Sequence, residues 1–87
     1  MLQLNFYTRK GCQLCDEALL LLKVFQSTFP FTINQIDIET DERLIEKYGL
    51  SIPVIEYNGE VIQEGKIDET EFTLFLQNKL GKNGCTL

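Results

Sequence analysis

The sequence predicts an α/β fold of element order β-α-β-α-β-β-α, a mixed four-stranded sheet with helices on both faces. Three observations predict it. Four short segments alternate apolar and polar residues with period two. Three others space their apolar residues three and four apart, the period of a helix face. Asn58-Gly59 joins two of the alternating segments directly, the strongest hairpin signal a short stretch offers. The chain has 87 residues, of which 44% are hydrophobic and 24% charged, with six Gly and two Pro. That profile belongs to an ordered globular chain. At this length folding buries roughly 60–65% of the unfolded surface, enough for one core and no second domain. A single domain is expected over residues 1–80, followed by a flexible tail at 81–87 that carries Cys85.

The first strand starts almost at the terminus, where Leu2, Leu4 and Phe6 alternate with Gln3, Asn5 and Tyr7. It ends in the polar break Thr8-Arg9-Lys10-Gly11. From Cys12 the period changes. Asp16 and Glu17 fall in a first helical turn, where the helix dipole favours acids. Ala18, Leu19, Leu22, Phe25 and Phe29 follow at helical spacing, and Leu20, Leu21 and Val24 make this helix apolar around most of its girth, as for one packed on several sides. Pro30 stops it. Residues 31–38 form the second strand, with a phase slip near Asn34. Thr40 is the expected N-cap of a short helix bearing Leu44, Ile45 and Tyr48, and Gly49 is its stop. Strands at 52–57 and 60–63 flank the Asn58-Gly59 turn. Asp68 with Glu71 resembles a capping box that opens the last helix, marked by Phe72, Phe75, Leu76 and Leu80. The first two strands flank a helix and should be parallel.

Composition removes several kinds of chemistry. The net charge is −5, with eight Lys/Arg against thirteen Asp/Glu, so no basic face for nucleic acid is expected. With no His, Ser–His and Cys–His pairs and mixed Cys/His zinc sites are excluded. Three Cys are too few for a four-cysteine metal site and an odd number for a secreted disulfide scaffold. The first residues show neither a basic region nor a long apolar run. The expectation is a cytoplasmic monomer without a membrane segment.

Cys12-Gln13-Leu14-Cys15 carries the candidate chemistry. One helical turn brings two such sulfurs together. A helix N-terminus aims free N–H groups and about half a positive charge at the first of them, which favours the thiolate, the attacking species. Cys12 is then the exposed nucleophile and Cys15 the shielded resolving thiol. The structural alternative is a pair of small core cysteines; a zinc knuckle would lack its other half. Arg9 and Lys10 favour a low thiol pKa, Asp16 and Glu17 oppose it, and the helix end decides. Leu14 is apolar where the loop should be exposed; single exposed leucines are ordinary, and docking of a protein partner is the second reading.

Ser51-Ile52-Pro53 opens the hairpin. A trans, purely structural proline is the default, since only about 5–6% of X–Pro bonds are cis. With a cis bond, the backbone of Ile52 would turn toward the cysteine loop and pair with an extended, peptide-like substrate.

Residues 7–15, following a first strand, together with Ser51-Ile52-Pro53-Val54-Ile55 before a hairpin, resemble a glutaredoxin of the thioredoxin superfamily. The Cys-Gln-Leu-Cys-Asp-Glu-Ala run is closer still to the small glutaredoxin-like proteins of unassigned function. The resemblance covers residues 2–80. It implies a thioredoxin fold, dithiol exchange by Cys12 and Cys15, and a cis bond before Pro53. It places Arg9 where glutaredoxins carry a Lys that meets a glutathione carboxylate, and Ile52 where the backbone pairs with the glutathione cysteine. Gln13-Leu14 replaces the usual Pro-Tyr, and Ile62-Gln63-Glu64-Gly65-Lys66-Ile67-Asp68 lacks the usual Gly pair, which weighs against glutathione binding and leaves disulfide exchange untouched. The expected activity is thiol–disulfide oxidoreduction of protein or glutathione mixed disulfides. Its site residues are Cys12 and Cys15, with Arg9, Ser51, Ile52 and Pro53 toward the substrate, and no metal. No tightly bound cofactor is expected; glutathione is a candidate co-substrate, and an external reductant must restore the dithiol. The rival is a binding or redox-sensing module on the same fold without turnover.

Overall fold

Strand β1, Leu2–Thr8, lies at the centre of the sheet and sends its side chains to two different cores. The computed structural model describes residues 2–80; the tail at 81–87 and Cys85 lie outside them. Leu4 and Phe6 enter the larger core, and Tyr7 the smaller one on the opposite face. Strand β2, Phe31–Asp37, runs parallel to β1 from Leu2↔Phe31 to Thr8↔Asp37, and the two are joined by helix α1, Gln13–Gln26. Strand β3, Val54–Tyr57, pairs antiparallel on the other side of β1, and β4, Glu60–Glu64, closes the order β2-β1-β3-β4. This is the mixed four-stranded sheet that the alternating segments predict.

The larger core holds Leu4, Phe6, Phe31 and Ile55 from the sheet, Ala18 and Leu22 from α1, and Phe72 and Leu76 from helix α3, Glu69–Leu80. Phe72 is its hub, meeting Phe25 edge-on at 5.0 Å and Phe31 at 6.1 Å. On the other face helix α2, Glu42–Tyr48, lays Tyr48 on the Tyr7 ring at 4.5 Å and packs Leu44 and Ile45 around Ile38 and Val54. The phase slip near Asn34 now has a cause. Ile33 serves the α1/α3 core and Ile36 the α2 core, so the apolar positions change face in mid-strand. At the change, Asn34 Nδ2 donates to Asn5 Oδ1 at 3.1 Å and Asn5 Nδ2 donates to Glu56 Oε1 at 2.6 Å. This is a polar cross-strand ladder where α2 no longer covers the sheet.

Three sequence expectations are corrected. Helix α1 stops at Gln26, four residues before Pro30, where the chain tightens into i→i−3 turns, Ser27 N–H on the Val24 carbonyl at 3.1 Å and Thr28 N–H on the Phe25 carbonyl at 3.0 Å. The helix is also not enclosed: Leu20 is 67% exposed and Val24 64%, since α3 covers the sheet beside α1 rather than α1 itself. The N-cap of α2 is Asp41 and not Thr40. Thr40 closes a 3₁₀ turn, Ile38–Thr40, and its hydroxyl donates to the Asp37 carbonyl. Asp41 is extended and accepts the Arg43 N–H at 2.9 Å; the Arg43 side-chain hydrogen bond holds its carboxyl below the ordinary value.

Elsewhere the local signals act as expected. Asn58 and Gly59 both take positive φ, 52° and 82°, which brings Tyr57 opposite Glu60 across a two-residue turn. Asp68 caps α3 by accepting the Glu71 N–H at 3.0 Å, while its own N–H goes to Gln63 Oε1 rather than back to Glu71. The capping box is therefore shared between helix and strand.

Candidate active site

Glycine at position 11 takes φ +77°, a conformation of little cost without a Cβ, and delivers the chain to Cys12. Cys12 is extended and forms the N-cap of α1. Its Sγ accepts the Cys15 N–H at 3.1 Å, and its carbonyl accepts the Asp16 N–H at 3.1 Å. A sulfur thus occupies the place normally held by a capping hydroxyl or carboxylate, against an N–H that the helix leaves unpaired. Cys15 lies inside the first turn and is 1% exposed, whereas Cys12 is half-buried. The two Cα atoms are 5.2 Å apart and the sulfurs form a disulfide, as one helical turn between them allows.

The cysteine loop and the Ser51–Pro53 turn meet at one end of the sheet. Tyr7 pairs with Val54, so β1 runs out into Thr8–Cys12 beside the point where the chain enters β3. The Ile52–Pro53 bond is cis and Pro53 is buried. The Tyr48 carbonyl accepts both the Ser51 N–H at 2.8 Å and the Ile52 N–H at 3.1 Å. The carbonyls of Ser51 and Pro53 share the Gly65 N–H, at 3.1 and 2.8 Å. Ile52 therefore has its N–H already engaged by the end of α2. The sequence carries no sign of the α2 C-terminus as that N–H's partner, because it depends on how the helix ends.

Arg9 leaves the same strand end but turns to Glu39, with Nε and Oε2 2.9 Å apart on the surface. The pair spans thirty positions and no local spacing signals it. An exposed pair of this kind is worth about 0.2–1 kcal/mol, weak enough to open for a competing carboxylate. Tyr7, beneath this end of the sheet, has its phenol pushed above the ordinary 10.0 by burial first and then by the Glu56 and Tyr48 charges. Its hydroxyl lies 3.4 Å from Glu56 Oε1. Among the described residues no group of three or more His, Cys, Asp and Glu could hold a metal, and no helix is long and apolar enough to cross a membrane.

The glutaredoxin-like domain family (DUF836) matches residues 3–77. A glutaredoxin-like protein of Dictyostelium discoideum is 31% identical over 85 residues, covering 91% of this chain and 79% of its own. Among solved structures, a Nitrosomonas europaea protein determined by NMR superposes with TM-score 0.76 at 29% identity, over 85% of this chain and 89% of its own. A thioredoxin from Halobacterium salinarum gives 0.65 at 19% identity, covering 91% of this chain and 74% of its own, a likeness of fold.

Proposed function

The chain belongs to the glutaredoxin-like domain family, and from that premise we propose that it is a thiol–disulfide oxidoreductase acting on disulfides of other proteins. One observation carries this reading: a half-buried Cys12 sulfur sits on the N-terminus of α1 and accepts the N–H of its buried partner Cys15. In the reduced chain that N–H and the helix end stabilise a Cys12 thiolate. The thiolate attacks one sulfur of the substrate disulfide, and the other leaves as a thiolate that takes a proton from solvent. Cys15, as its thiolate, then attacks Cys12. The mixed disulfide breaks, the second substrate thiol is released, and the chain is left with its Cys12–Cys15 disulfide. Two electrons pass to the substrate, and an external thiol reductant must return them. Cys15, shielded from solvent, meets a sulfur only after Cys12 has brought it in.

Arg9 and the Ile52 carbonyl support the reading by standing at the same sheet end as the cysteines, available to a carboxylate and to a backbone N–H of an extended substrate. The test is reduction of a protein disulfide by the reduced chain and its cysteine variants. Cys12→Ser is expected to abolish turnover, and Cys15→Ser to accumulate a mixed disulfide at Cys12. Undiminished turnover by Cys12→Ser would refute the proposal.

A further inference from the structure

A groove of about 210 Å³, lined by neither cysteine, opens between the first turns of α1 and the segment leading into α3. Its floor is apolar, with Ala18 and Ile67 buried and Leu21 half-buried. Leu14, which lies between the two cysteines in sequence, lines it as well and is 43% exposed. The rim is charged: Glu17 stands on it from α1, Glu69 from α3 and Lys66 from the loop between. Among the described residues neither these acids nor Lys66 makes an ion pair, so the rim carries two negative charges against one positive. Glu17 Oε2 accepts from the neutral Gln13 amide at 3.1 Å, so its charge is not compensated. Glu64 and Asp68 lie two residues to either side of Lys66.

We infer that this groove selects the substrate, taking a protein segment whose disulfide lies next to an apolar side chain and a lysine or arginine. The inference rests on the redox reading above and adds the substrate's chemistry to it. The apolar side chain covers Ala18, Leu21 and Ile67, and the cation sits against Glu17 and Glu69. Leu14 lies in the first turn of α1, two residues after Cys12, so a segment held against it runs toward the cysteine pair. Glutathione fits this rim poorly: its two carboxylates outnumber its one amine, and it has no apolar side chain for the floor. The whole-chain charge of −5 works in the same direction, drawing cationic segments to the surface and repelling anionic ones. Contact with the floor supplies affinity, and the two acids supply discrimination.

The test compares two peptides, each carrying its cysteine as a mixed disulfide with 2-mercaptoethanol and differing only in Lys-Leu-Cys against Glu-Leu-Cys. At low ionic strength the reduced chain should favour the lysine peptide by about tenfold, and high salt should cut that preference to about threefold or less. In the double variant Glu17→Gln/Glu69→Gln the preference should fall to less than about twofold, while Glu42→Gln/Glu46→Gln, which removes the same charge from α2 on the other face, should retain it. Equal rates in the parent chain, preference for the glutamate peptide, or a preference that survives the Glu17/Glu69 change would overturn the inference. Should neither peptide nor hydroxyethyl disulfide be reduced, the redox reading falls. The groove is then judged separately, by titrating the S-methylated lysine peptide against backbone amide shifts. Shifts at residues 14–21 and 66–69 support it, and unmoved amides there reject it.

Discussion

A single side chain decides what α1 can do at its start. Ser or Asp at position 12 would cap the helix as well as Cys does, but neither would put a nucleophile there. That residue choice was readable in the sequence because the two-residue spacing and the acids in the first turn both mark a helix start. Other residue roles were not readable. Arg9 finds Glu39 thirty positions away, and the Ile52 N–H finds a carbonyl at the end of α2; both depend on tertiary placement. Thr40 read as the cap of α2 with Asp41 in its first turn, and the 3₁₀ turn before α2 shifts the cap to Asp41. Tyr7 gives a prediction at this scale. Its folded pKa lies above the unfolded value, so the folded state favours the neutral phenol. The associated stability is fully present below pH 10 and is lost as the pH rises through the folded pKa. Urea unfolding at increasing pH should show stability falling above pH 10, with a smaller fall in Tyr7→Phe; an identical fall in the two proteins would assign the loss elsewhere.

At the scale of elements, strand and helix periods identified every main element, and errors arose where one element's environment depends on another. Helix α1 reads as apolar all round, yet its Leu20 and Val24 face solvent, because the sequence does not show how many neighbours a helix has. Asn34 reads as a slip in β2, yet it marks the exchange of one core for the other. The packing hub is Phe72, fully buried where α3, α1 and β2 meet. Phe72→Ala should cost about 3–5 kcal/mol in urea unfolding. A loss below about 1 kcal/mol would mean that the core closes around the gap or that α3 is not packed as described. The hairpin offers a second test. Gly59 holds φ +82°, so Gly59→Val should cost about 1–2 kcal/mol from backbone conformation alone, and an unchanged unfolding midpoint would contradict the turn geometry.

For the molecule as a whole, the order β2-β1-β3-β4 makes β1 and β3 neighbours and so carries two sequence-distant loops to one end of the sheet. The parallel first pair and the hairpin were readable from the residue periods, but the β1–β3 pairing that joins them has no local signal. The groove beside Leu14 was not implied, since it needs the loop before α3 to lie against α1. The central claim is that the chain passes two electrons to a substrate through Cys12 first and Cys15 second. Its most direct test is to mix the fully reduced chain with a protein disulfide, quench with an alkylating agent at successive times, and locate the label at Cys12, Cys15 and Cys85 by mass spectrometry. The account predicts early substrate attachment at Cys12, then loss of label from Cys12 and Cys15 together, with two substrate thiols formed per chain. Substrate reduction while Cys12 remains fully labelled, or attachment only at Cys15 or Cys85, would contradict it.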